Sequence, residues 1–256
     1  MRDGDLFAST FARGLAVIRS FDRGRERQTL ADIARQTDMS RAAARRLVHT
    51  LLALGYVRQD GRYFSLTARV LDLGYSYLAS TSLWSLAEPH MQAVVAKTGA
   101  SCSISVLDGD DIVYVARVSP RQLMQRLVSI GSRVPAWVIA MGRVQLAELD
   151  DITLRARLAD MEITAFTRHT ITNRGLLFDR IRADGLQGWS VTDRELDEGI
   201  SGIAMPIRDR DGAVIAGINL SLKPDQAAEP DRLENLRQDL TGTVGIIEGI
   251  AAQRPN

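Results

Sequence analysis

The chain has 256 residues, 45% hydrophobic and 25% charged, enough to bury one large core or two modest ones. A net charge of +1 excludes a uniformly basic or acidic protein, and the single cysteine, Cys102, excludes an intramolecular disulfide framework. No apolar run reaches the roughly 20 residues of a membrane helix, and the opening MRDGDLFASTFARG lacks a secretory pattern, so a cytoplasmic protein with no membrane partner is expected.

The charge is unevenly spread. Residues 1–65 hold 12 arginines and no lysine against seven acids, a net of +5; residues 66–256 hold 20 basic against 24 acidic side chains, a net of −4. A surface for a polyanion therefore belongs at the N-terminus, and arginine suits bidentate contacts to phosphate or guanine.

Residues 10–21 carry apolar side chains at helical spacing, with Phe11, Leu15, Ile18 and Phe21 as the stripe. Thr29-Leu30-Ala31-Asp32 is a capping-box variant that opens a short helix with Leu30, Ile33 and Ala34 inward. Asp38 stands where the following turn favours glycine, and aspartate tolerates the left-handed conformation better than most residues. Met39 plugs the core beside it. Ser40 caps a second helix on which Ala44, Leu47, Val48, Leu51 and Leu54 point inward, leaving Ser40, Arg41, Ala42, Arg45 and Arg46 on the outer face. Gly55 ends that helix. Asp60-Gly61 between two short alternating segments predicts a tight hairpin flanked by Arg58 and Arg62. Cap, turn, arginine-bearing helix and basic hairpin in this order describe a winged helix-turn-helix that presents a helix to the DNA major groove, with Thr29 at its first cap counted among the DNA-facing positions.

Thr67 is placed to cap a long helix through residue 84, with Val70, Leu71, Gly74, Tyr75, Tyr77 and Leu78 as a broad apolar stripe. Beyond it the pattern alternates: a helix over 86–97, strands over 101–107 and 112–116, and a third strand over 125–130. Helices follow near 136–149, 152–160 and 173–184, then strands over 187–192, 201–208 and 213–221, and a closing helix over 231–253. The fold class is α+β, with an N-terminal winged helix-turn-helix over 10–66, a connecting helix over 67–82, and an α/β domain over 83–254.

His90 and His169 are isolated, and no nucleophile motif, metal-ligand spacing or glycine-rich phosphate loop occurs. No catalytic residue, metal or cofactor is expected. Cys102, flanked by serines in a strand, is read as a buried inert thiol.

Several motifs in one order carry a family resemblance. They are SRAAARRLVHTLLALGYVRQDGRYFSLTARVLDLGYSYL, then Gly131 to Ala136, Ala140-Met141-Gly142-Arg143, Phe166 to Thr172, Asp193 to Ile200, and Ile203 to Ile207. Over nearly its whole length the chain resembles the isocitrate lyase regulator (IclR) family of bacterial transcription factors, and most of all the branch controlling aromatic-acid catabolism through protocatechuate, 4-hydroxybenzoate and β-ketoadipate. The resemblance implies a GAF-like, effector-binding sensor domain over 83–254, a linker and dimerisation helix over 67–82 that pairs N-terminal domains, and a homodimer, with a tetramer as the next level of assembly. It implies a pseudo-palindromic double-stranded DNA operator, a small aromatic or dicarboxylic acid as effector, and RNA polymerase as a further partner.

Carried over by position, the family's effector contacts fall on Ala140, Met141, Thr192, Asp193, Gly202, Asn219 and Ser221. Some relatives have cysteine or serine where this chain has Gly202, which enlarges the pocket and removes a donor. Asn219 and Ser221, two apart on a strand, face one side and can bind a carboxylate. A helix N-terminus near Ala136 would add backbone donors, and Leu123, Met124 and Met141 an apolar wall. The function expected is a ligand-responsive regulator of a catabolic operon. The alternative is a cytosolic small-molecule sensor or enzyme whose winged helix mediates protein contacts.

Overall fold

A computed structural model describes residues 7–22, 24–74, 83–120, 128–227 and 229–253. The chain divides into two compact units, Met1–Ser80 and Thr81–Asn256.

In the first unit, α1 (Ser9–Arg19) precedes β1 (Gln28–Thr29), α2 (Leu30–Gln36), α3 (Arg41–Ala53), β2 (Val57–Asp60) and β3 (Tyr63–Leu66). The local chemistry explains the boundaries. The Asp32 amide donates to Thr29 Oγ1 at 3.3 Å while the Thr29 amide donates to Asp32 Oδ2 at 3.1 Å, a reciprocal cap on α2. Asp38 adopts φ +50°, which turns the chain, and the Ala43 amide then donates to Ser40 Oγ at 3.2 Å to start α3. Gly55, at φ +79°, reverses the chain after α3. Val17, Ile33, Ala34, Ala44, Val48, Leu51, Val57 and Phe64 form the core, with Leu30, Leu47 and Met39 packed at its margin.

Several details differ from the sequence expectation. The first unit's core reaches only the C-terminal half of α1, so Val17 is buried while Phe11 is 68% and Leu15 41% exposed. Leu54 lies beyond the last turn of α3, where the helical period no longer applies, and it is 52% exposed. The hairpin closes one residue later: Asp60 pairs with Tyr63, so Gly61 and Arg62 form the loop, with the positive φ of +58° at Gly61. A first central glycine is what a type II′ turn requires. β1 also joins as a third strand, in the order β1-β3-β2, all antiparallel. Thr67 caps a 3-10 turn (Ala68–Val70) rather than an α-helix directly, and residues 71–74 are helical. The rest of the helix expected over 67–84, with Tyr75, Tyr77 and Leu78, falls largely outside the described residues.

The second unit is built on one antiparallel six-stranded sheet, order β6-β5-β4-β9-β8-β7. Its strands are β4 (Ser101–Asp108), β5 (Asp111–Val118), β6 (Arg133–Pro135), β7 (Ser190–Asp193), β8 (Ser201–Arg208) and β9 (Val214–Leu222). α4 (Leu83–Thr98) and α9 (Pro230–Ala252) cover one face; Thr241 of α9 reaches Met205 there. α5 (Ala140–Leu146), α6 (Asp151–Asp160) and α7 (Arg174–Gln187) lie on the other, and α8 (Pro224–Ala227) follows β9. Helices on both faces of an antiparallel sheet match the α+β expectation.

The strand expected over 125–130 is not found. Residues 125–127 lie outside the described residues, and 128–132 form a turn in which the Ser129 amide donates to Ser132 Oγ and Gly131 takes φ +86°. The edge strand is β6 instead, anchored where Arg133 bridges Asp108 and Asp111. The helix expected over 136–149 is broken into a 3-10 turn (Ala136–Val138), an extended Ile139 and the short α5. Gly142 makes this fold-back possible: a Cβ there would stand 2.0 Å from the Ala136 carbonyl oxygen.

Candidate nucleic-acid interface and ligand pocket

Ion pairing in the first unit is selective. Asp22 takes Arg25, Asp32 takes Arg35, and Asp60 takes Arg27. The Asp32 pKa is held below the usual carboxylate range, first by the Thr29 hydroxyl and amide and then by Arg35. Arg41, Arg45 and Arg46, exposed on α3, have no ion pair or side-chain hydrogen bond among the described residues. Three unneutralised guanidinium groups on one short helix are an electrostatic surface for a polyanion. Ser40 and Ala42, also exposed, flank them at the helix start.

The other expected contacts are more engaged. The Thr29 hydroxyl is used in its own cap, Arg58 Nε donates to Ser65 Oγ at 3.0 Å, and Arg62 donates to the Tyr63 hydroxyl at 3.0 Å while lying over its ring. A groove between α3 and the hairpin is lined by Thr29, Leu30, Arg41, Arg45, His49, Gln59, Arg62 and Phe64. His49 and Gln59 were not among the positions singled out from sequence. The signal was available, since residues 41, 45 and 49 recur every fourth position.

The second unit carries an unusual sheet face. Directly opposed residues in antiparallel strands share a face, and the register aligns Ser101, Ser221, Gly202 and Thr192 in one row across four strands. The next row aligns Arg117, Ser103, Asn219 and Ala204. Asn219 Nδ2 donates to Ser221 Oγ at 2.9 Å, while the buried Asn219 Oδ1 has no hydrogen-bond partner among the described residues. Buried polar atoms without partners are uncommon in folded proteins. Gly202 lies against this pair, where a Cβ would meet Asn219 Nδ2 at 3.7 Å.

At one end of this face a cavity of about 140 Å³ opens. Ser101, Tyr114, Arg117 and Ser221 supply its polar groups, Val128, Ile139, Leu196 and Ile200 its apolar wall, and Lys223 and Gln226 its rim. Burial pushes the Tyr114 phenol up to about 12, so it remains a neutral hydrogen-bonding group. Arg117 donates to Ser103 Oγ at 3.4 Å.

Of the positions carried over from the family, Ser221 lines this cavity directly. Asn219, Gly202 and Thr192 share its sheet face. Ala140 and Met141 follow the lining residue Ile139 but are themselves packed inward, with Ser105 Oγ donating to Met141 Sδ at 3.4 Å. Asp193 is tied to Arg194 and Ser201; burial opposes its ionisation, but those hydrogen bonds outweigh it and lower the pKa. Of the backbone donors expected near Ala136, its own amide is already used, donating to the Asp110 carbonyl at 2.9 Å. Leu123 and Met124 fall outside the described residues. Arg117, Tyr114, Ser101, Leu196 and Ile200 were missed from sequence; the serine alternation at 101, 103 and 105 was the legible clue.

The loop between β7 and β8, residues 194–200, carries Leu196 and Ile200 and is bolted down by a buried pair. Arg143 donates to both oxygens of Glu195 at 2.9 and 2.6 Å and to the Trp137 carbonyl at 2.9 Å. Thr167 and Thr170 donate to the carbonyls of Arg194 and Glu195 at 2.6 and 2.7 Å. The separate motifs around residues 140, 166 and 193 therefore meet at one wall of the pocket.

Cys102 is buried, and burial raises its thiol pKa to about 12, which leaves it unreactive. Among the described residues, no cluster of His, Cys, Asp or Glu could hold a metal ion, and no helix is long and apolar enough to cross a membrane.

Residues 10–61 match the IclR helix-turn-helix domain, and residues 75–247 match the family described as bacterial transcriptional regulator IclR C-terminal. The Pca regulon regulatory protein of Pseudomonas putida is 41% identical over 216 residues, 84% of this chain and 74% of that protein. The p-hydroxybenzoate hydroxylase transcriptional activator of Acinetobacter baylyi is 33% identical over 218 residues, covering 83% and 80%. A crystal structure of a transcriptional regulator from Rhodococcus sp. RHA1 superposes with TM-score 0.86 at 44% identity, covering 96% of this chain and 98% of that one.

Proposed function

The chain belongs to the IclR family of bacterial transcriptional regulators, and we propose on that premise that it controls aromatic-acid catabolism in response to a small aromatic carboxylate. The cavity is the observation that carries the effector class. Its volume is of the order that accommodates a benzene-sized molecule. Arg117 and the Ser101 and Ser221 hydroxyls suit a carboxylate at one side. Val128, Ile139, Leu196 and Ile200 suit a ring at the other. The names of two relatives, a Pca regulon regulator and a p-hydroxybenzoate hydroxylase activator, support the same class.

In this proposal Arg41, Arg45 and Arg46 read the DNA with Ser40 and Ala42, while Thr29, Arg58 and Arg62 meet its backbone. Ala140, Met141, Thr192, Asp193, Gly202, Asn219 and Ser221 form the effector side with Arg117. Residues 10–66, 67–82 and 83–254 are the DNA-binding, linker and effector-binding parts. A homodimer places two recognition helices on a pseudo-palindromic operator, half-sites one helical turn or a multiple apart, with pairing into tetramers and contact with RNA polymerase as further steps. The protein acts in the cytoplasm and catalyses no reaction. The effector regulates only through different affinities for two arrangements of the protein.

Lys223 at the rim favours a second reading, in which a ring-cleavage dicarboxylic acid spans Arg117 and Lys223. Calorimetry with benzoate, 4-hydroxybenzoate, protocatechuate and aliphatic dicarboxylates separates the two. The proposal expects binding of a ring carboxylate and a roughly 10- to 100-fold loss in Arg117→Ala, the equivalent of about 1.5–3 kcal/mol for a charged hydrogen bond. Binding of dicarboxylates alone favours the second reading, and a flat response to every acid removes both.

A further inference from the structure

We propose that His49 is a protonation-dependent contact to the DNA backbone, seated in the groove between α3 and the hairpin. The inference rests on the DNA-binding reading above and adds a residue and a linkage to it. Arg41, Arg45 and His49 follow one another at every fourth position of α3 and line one side of the groove; Gln59 and Arg62 of the hairpin line the other. His49 is exposed, and its ring makes a T-shaped contact with Phe64 at 6.4 Å between centroids and 74° between planes. Its ring nitrogens have no hydrogen bond or ion pair among the described residues.

The charged groups facing the groove decide the chemistry. From α3 they are Arg41 and Arg45, with Arg46 adjacent; from the hairpin, Arg62. The nearest acids are already engaged, Asp32 by Thr29 and Arg35 and Asp60 by Arg27. The Tyr63 hydroxyl accepts from Arg62. A phosphate laid in the groove favours the imidazolium, which donates to phosphate oxygen. An imidazole titrates ordinarily at about 6.5, so DNA binding takes up a proton near neutrality. Protonation bound to the complex means that affinity rises as pH falls through this window and levels off on either side.

The test uses the full chain and a short mixed-sequence DNA duplex, where backbone contacts dominate, with affinity measured by fluorescence anisotropy between pH 5.5 and 8.5. The chain's other histidines, His90 and His169, lie in the second unit. Wild type should bind up to about tenfold more tightly per unit fall in pH across the window, and its log–log salt slope should steepen by about 0.9 at the acid end, as one added phosphate contact requires. His49→Gln, which keeps a hydrogen-bonding side chain without the charge, should match wild type at pH 8.5 and lose the pH dependence. A wild-type affinity independent of pH overturns the proposal, as does an unchanged pH slope in His49→Gln. If wild type binds no duplex at low salt at any pH, the DNA-binding reading itself fails, and the two failures are thus distinct.

Discussion

Arg143 and Glu195 show what a single pair of residues decides. Arg143 is fully buried and Glu195 nearly so, and they share two hydrogen bonds. Such a pair contributes little over apolar packing when intact, but losing one partner strands a charge in a low-dielectric interior. Glu195→Ala should destabilise the protein by about 3–5 kcal/mol in urea denaturation, and Arg143→Met combined with Glu195→Leu should recover a large part of that. A loss below about 1 kcal/mol in the single variant would mean that Arg143 finds water or another acceptor. Glu195 Oε2 also accepts from the Ile171 amide at 3.3 Å, so the variant should loosen the loop bearing Leu196 and Ile200 as well. Both residues stand in motifs visible in the sequence, Arg143 in 140–143 and Glu195 in 193–200, but they lie 52 residues apart. No spacing rule links the two.

At the scale of elements, α3 separates two kinds of arginine. Arg45 has no ion pair among the described residues and stands in mid-helix, whereas Arg58 on the hairpin is hydrogen-bonded to Ser65. Arg45→Ala should weaken operator binding by about 1–3 kcal/mol if it meets a base edge, and should do so more on operator than on mixed-sequence DNA. Arg58→Ala should weaken both alike and lower the salt slope by about one contact. Equal behaviour of the two variants on both kinds of DNA would erase the distinction between recognition helix and wing. The caps, the left-handed Asp38 and the periodic core of α2 and α3 were legible because each rests on neighbours within four residues. Leu54 and the Phe11–Leu15 stripe were not, since helical spacing says which side chains align but not how far the core extends.

The whole molecule joins a basic unit to a net acidic one, and the proposed DNA and effector sites divide between them. Anything that binds only the folded state stabilises by mass action, so the effector should raise stability by about 2.7 kcal/mol at 100 times its dissociation constant. Hydrogen exchange should place the protection in residues 101–118 and 190–222, where the cavity-facing strands lie, and protection confined to residues 28–66 would move the site elsewhere. The winged helix, the α+β class, the alternation of strands and helices and the family likeness were all present in the sequence, because local caps, turns and hydrophobic periods carry them. Ser221 and Asn219 were named beforehand only through the family likeness, and how the pocket is assembled was decided by tertiary structure. Ser101, Arg117, Asn219 and Ser221 come from three strands whose register brings them to one face, and the fold-back at Gly142 sets the wall beside it. Strand pairing over a hundred residues of separation depends on the packing of the whole sheet, and that is information no local window of sequence contains.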